Sequence, residues 1–105
     1  MKLRKSHDKI YNITYNKYNK YNYLGSGIVI DSGYRYDTLH TIDEFKYITN
    51  NIYYKESFDY HPENDDKVEI IDAIHVTGVE LTIYIIKKYG KLACINQTGL
   101  KKIII

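Results

Sequence analysis

The sequence predicts an α+β domain, an antiparallel sheet of five to six strands carrying one principal α-helix at about residues 41–53. Three observations carry that expectation. Apolar and polar residues alternate through much of the second half, as half-buried strands require. Thr41-Ile42-Asp43-Glu44 has the form of a capping box, and Ile42, Phe45, Ile48 and Ile52 follow at helical spacing. Hydrophobic residues fill 44% of the 105 positions, which supports one core and leaves little room for a second domain.

Taken in order, residues 1–9 read as a flexible basic arm at the start of a single domain spanning 1–105. Tyr11, Ile13 and Tyr15 then alternate with polar residues, and Tyr21 and Tyr23 resume the alternation into Gly-Ile-Val-Ile-Asp. A hairpin of about 10–16 and 21–31 follows, with Asn19 in the turn. Tyr11, Tyr15, Tyr18 and Tyr21 also fit a helical period, but the β-branched and aromatic content favours strands. Gly25 and Gly27 suggest a bulge or a close backbone approach. After the helix comes an acidic loop with the single proline, Pro62. From Val68 on, two strand-like runs flank Thr77-Gly78, Lys-Lys-Tyr-Gly-Lys leads into a third, and Thr-Gly-Leu-Lys-Lys-Ile-Ile-Ile forms a last strand. An apolar edge left open would aggregate, so this strand should pair within the sheet or across a homodimer.

One Cys rules out an internal disulfide and fits a reducing compartment. No apolar signal segment follows the basic start, and the longest apolar run is far shorter than a membrane span and contains Glu80. The expected location is the cytoplasm, without membrane association. Ile, Lys, Tyr and Asn fill 51 positions. All four have AT-rich codons, which points to a low-GC bacterium or one of its phages. Charge falls in blocks: residues 1–23 carry net +5, residues 31–80 net −8, and residues 81–105 net +5. A molecule patterned in this way favours oriented association with a charged partner.

Ile28-Val29-Ile30-Asp31-Ser32-Gly33 resembles the signature of retroviral-type aspartic proteases. The resemblance implies a dimer in which Asp31 of each chain shares a proton to activate water. It covers six residues, and Tyr34 follows where that family has a small residue. A strand ending in an Asp-Ser-Gly turn reads the same letters structurally. Gly25-Ser26-Gly27 precedes a strand, so it is no phosphate-binding loop. His7, His40, His61, His75 and Cys94 lack metal-ligand spacing, and no cofactor or metal is expected.

The remaining signals concern binding. Tyr11, Tyr15, Tyr18, Tyr21 and Tyr23 interleave with Lys17 and Lys20, and thirteen tyrosines with no Trp give amphipathic contact area. Asp59, Glu63, Asp65 and Asp66 could imitate phosphates in a partner's basic groove. The function expected first is that of a non-enzymatic accessory protein of a phage or mobile element. It would block a protein partner in a nucleic-acid-processing complex, such as a defence nuclease, in the manner of anti-CRISPR proteins. The alternative is a single-stranded nucleic-acid binder using the Tyr/Lys hairpin and Lys87, Lys88 and Lys91. The dimeric protease stands third.

Overall fold

The computed structural model describes residues 12–14, 25–45, 52–54 and 56–103. Seven strands lie among them: β1 (Asn12–Thr14), β2 (Gly25–Val29), β3 (Arg35–Tyr36), β4 (Lys67–Thr77), β5 (Leu81–Lys88), β6 (Lys91–Asn96) and β7 (Leu100–Ile103). All pair antiparallel, in the order β3-β6-β5-β4-β2-β7, with β1 also on β4.

The expected principal helix is not formed. Among the described residues the longest helical pieces are three-residue 3-10 turns at Ser32–Tyr34, Leu39–Thr41 and Asp43–Phe45. The presumed cap works differently, because the Thr41 hydroxyl donates back to the Thr38 carbonyl at 2.8 Å. Ile42 is extended at φ −89°, ψ 122° and separates the two turns. Leu39, Ile42 and Phe45 are all buried, and their spacing of three suits 3-10 geometry better than a 3.6 period. Ile52, expected on the buried face, is 44% exposed, while its neighbour Tyr53 is fully buried. The fold is therefore a mainly antiparallel β structure.

The predicted hairpin of 10–16 and 21–31 is also corrected. β1 bonds residues 75–77 of β4, and β2 bonds residues 67–70 of the same strand. β5 occupies the other edge of β4. β1 and β2 thus lie end to end along one neighbour instead of side by side. Residues 15–24, which include the intended turn, fall outside the described residues.

β4 is the hub, and a bulge between Ile70 and Asp72 divides its work. The extra residue inverts the inside–outside alternation. Val68 and Ile70 pack in one core with Val29, Tyr60, Ile86, Ala93, Ile95 and Leu100. Ile74 and Val76 pack in a second core with Leu39, Phe45, Tyr53, Phe58, Ile83 and Ile85. Leu39, Ile42, Phe45, Tyr53 and Phe58 pack into the second core, and Val29 of β2 and Leu100 of β7 pack into the first.

Residues 25–36 close the molecule. β2 pairs with β4 and β7, and β3, six residues beyond Val29, pairs with β6. The sheet therefore curls until both of its ends rest on one stretch of chain. Gly99 sits at this junction, where its carbonyl accepts the amides of Ile30 and Asp31 at 2.9 and 3.2 Å. A Cβ there would lie 2.5 Å from the Asp31 carbonyl oxygen, so only glycine permits the approach. Buried Asn96 braces the turn before it, donating to the Tyr36 hydroxyl at 2.9 Å and accepting the Thr98 amide at 2.8 Å.

Candidate functional site

β5 and β6 are joined by two residues, with Lys88 paired to Lys91. The type I′ form of such a loop needs positive φ at both positions, the reason Asn-Gly and Gly-Gly dominate it. Here the residues are Tyr89 at φ 57° and Gly90 at φ 75°. Tyr89 is 82% exposed, whereas Tyr53 and Tyr60 are core residues. The Lys88 ammonium lies 5.2 Å from the centre of the Tyr89 ring and donates to the Lys67 carbonyl at 2.9 Å. It tethers the tip to β4 and sets a cation beside the ring.

Tyr89 forms part of the wall of two open clefts. The larger, about 500 Å³, also includes Ser26, Lys67, Glu69, Lys87 and Ile103. The other, about 370 Å³, includes Asp59, His61, Glu63, Asp66 and Lys91. A third hollow beside it holds Glu56 and Asp59 against Lys87 and Lys91. The ring is thus a ridge between a lysine-rich side and a carboxylate-rich side. Chain direction explains the second side: the Tyr60 amide bonds the Leu92 carbonyl at 2.9 Å, which lays residues 56–60 along β6.

The predicted acidic residues have distinct places. Asp59 and Glu63 are exposed and face the Tyr89 ridge. Asp66 is half-buried, accepts the Tyr60 hydroxyl at 2.5 Å and accepts the Glu63 amide at 3.1 Å. The Tyr60 hydrogen bond holds its carboxyl below the usual carboxylate range, helped by the Glu63 amide and opposed by partial burial. Burial, and then that same hydrogen bond, push the Tyr60 phenol up. Asp65 is exposed on the far side of the turn, at φ 74°, with its amide on the Val29 carbonyl at 2.6 Å. Glu56 is raised by burial and by the neighbouring Asp59. Tyr11, Tyr15, Lys17, Tyr18, Lys20, Tyr21 and Tyr23 lie outside the described residues, as does the basic arm 1–9.

Asp31 performs the turn role. It is exposed, and its Oδ1 accepts the Gly33 amide at 2.9 Å, capping the turn Ser32–Tyr34. The Ser32 amide bonds Asn64 Oδ1 at 2.9 Å. Cys94 is fully buried, and burial raises its thiol well above the ordinary value, the reverse of nucleophile activation. His75 pairs its Nδ1 with the Thr82 hydroxyl at 3.1 Å across two strands. Among the described residues no group of three or more His, Cys, Asp or Glu could hold a metal, and no helix is long and apolar enough to cross a membrane.

The sequence reading passed over Tyr89 as part of a connecting segment. The signal was present: Tyr-Gly stands at the two positions of a tight hairpin where Asn-Gly is expected. No protein family, no curated protein and no solved structure matches the chain.

Proposed function

We propose that the chain is a non-enzymatic binding protein that docks on a macromolecular partner and blocks its working surface. Tyr89 carries the reading. A large ring, 82% exposed, occupies left-handed backbone that asparagine or glycine would adopt with less strain. Strain retained at an exposed position is a mark of use, and tyrosine is enriched among residues that anchor interfaces. The flanks carry both signs, with Lys67 and Lys87 on one side and Asp59 and Glu63 on the other. Two-signed surroundings suit a protein partner, whose charges can be matched in register.

The partner class is a nucleic-acid-processing protein, in the first instance a defence nuclease. Asp59 and Glu63, both exposed beside Tyr89, would meet the Lys/Arg that hold its nucleic acid. Tyr89 would bury its ring beside them, and the outcome is exclusion of the substrate. The composition supports a phage or mobile-element origin in a low-GC bacterium.

The test is target cleavage by purified candidate nucleases in the presence of the wild type and of two variants. Asp59→Lys/Glu63→Lys places like charges across the interface, at a cost of several kcal/mol. Tyr89→Ala removes the anchor, at about 2 kcal/mol or more. Both are expected to abolish inhibition and keep the circular-dichroism spectrum. Inhibition indifferent to both variants means another surface acts, and a wild type that inhibits no nuclease removes this function.

A further inference from the structure

The lysine-rich cleft lies across the Tyr89 ring from Asp59 and Glu63. Strand register defines its face. Ser26 pairs with Ile103 and with Glu69, and Glu69 pairs with Lys87. Ile28 pairs with Lys101 and with Lys67. Directly paired residues share a face. One surface across β7, β2, β4 and β5 therefore presents Ile103, Ser26, Glu69 and Lys87 in one row, and Lys101, Ile28 and Lys67 in the next. Tyr89 closes the end of the cleft, its backbone fixed by the two-residue turn.

Three properties define what the cleft can take. Its volume, about 500 Å³, falls within the range of small-molecule sites, about 300–1,000 Å³. Its floor is low because β2 contributes Ser26 between Gly25 and Gly27. Its charged groups are Lys67, Lys87 and Lys88 against Glu69, with Lys101 in the adjoining row. The Lys88 ammonium is already engaged with the Lys67 carbonyl, which leaves Lys67 and Lys87 as the anion contacts. A planar aromatic face beside these cations matches a ligand that is itself planar at one end and anionic at the other.

We propose that this cleft binds a nucleotide, with the base stacked on the Tyr89 ring and the phosphate held by Lys67 and Lys87. Glu69 is the acceptor available to a sugar hydroxyl or an exocyclic amine. Its charge disfavours a second phosphate directly over β4. The same chemistry is offered by a free mononucleotide and by one exposed nucleotide of a single strand. An acidic peptide offers the charge but no base to stack. This site goes beyond the blocking role and stands or falls without it.

Fluorescence anisotropy of the protein alone tests it, at about 50 mM salt, where phosphate contacts are strong. The probes are a dye-labelled mononucleotide, a labelled single strand of about 12 nucleotides, near the site size of small single-strand binders, and a labelled oligoglutamate. Binding of the mononucleotide and the strand identifies a free-nucleotide site, and binding of the strand alone identifies a polymer site. Either supports the proposal. Lys67→Gln/Lys87→Gln and Tyr89→Ala should each weaken binding about tenfold or more, within the range of stacking losses. Tyr89→Phe should retain it, as should Lys102→Gln, whose position pairs with Gly27 on the opposite face. Tyr89→Asn, which the turn itself prefers, should lose binding with the fold intact. No binding of either nucleotide probe, equal binding of oligoglutamate, or indifference to Tyr89→Asn overturns the proposal. Because no nuclease is present, failure here is separate from failure of the blocking assay.

Discussion

Asp59 and Asp66 belong to one acidic run, yet only Asp59 is available to a partner. Asp66 is held by the Tyr60 hydroxyl and the Glu63 amide. Its carboxyl titrates below the ordinary value of 3.8, so the folded state favours the charged form. The stabilisation is complete above that ordinary value and disappears as pH falls through the lower folded one. Asp66→Ala should cost about 1 kcal/mol at neutral pH, the usual net worth of a hydrogen bond. Urea unfolding of both proteins should show the gap at pH 7 and its narrowing below 3.8; a gap that stays constant with pH would contradict the assignment. Charge counting found the acidic run and named Asp59, Glu63, Asp65 and Asp66 alike. It could not show that Asp66 is occupied, because that depends on Tyr60 folding back over a turn in which Asp65 is left-handed.

At the scale of elements, alternation located β4 and β5, each with a face against a core, whereas β6 is buried at four successive positions and was legible as an apolar run. The helix failed because a spacing of three, as at Leu39, Ile42 and Phe45, serves 3-10 turns as well as a helix over a short span, and the Thr41 hydroxyl bonds the Thr38 carbonyl instead of capping a helix. The bulge in β4 was unreadable because Ile70 and Ile71 are apolar on either face. The β5–β6 turn was located, but its strained residue was not recognised. Left-handed backbone costs a side-chain-bearing residue about 1–2 kcal/mol, and asparagine escapes part of this. Tyr89→Asn should therefore raise stability by up to about 1 kcal/mol while losing the ligand. Thermal unfolding reads the first effect, and a lower melting temperature would mean that the ring contributes packing its exposure does not reveal.

On the scale of the whole molecule, two neighbouring surfaces of opposite sign are brought together from β2, β4, the 56–66 loop and the β5–β6 turn, while the charges of the basic block 1–23 lie outside the described residues. None of these segments adjoins all the others in sequence, so the ridge was not legible there. The closure that unites them also has a kinetic meaning. Val29 finds its partner in Leu100, and Ser26 in Ile103. The β4–β5–β6 meander can assemble from near neighbours, but β2 gains its second partner only when the two distant parts of the chain meet. Loop-closure entropy is lost before that contact returns anything. Domains dominated by such pairings refold in milliseconds to seconds, far slower than chains of local contacts. Stopped-flow refolding should give a rate in that range, and removing Leu100–Ile103 should leave a meander unable to form the final cooperative phase. Refolding in microseconds would show that the closing contact is already present in the unfolded ensemble. Synthesised from its N-terminus, the chain would hold β2 without that partner until β7 emerges, a window in which the glycine-rich strand is open to rescue, capture or misassembly.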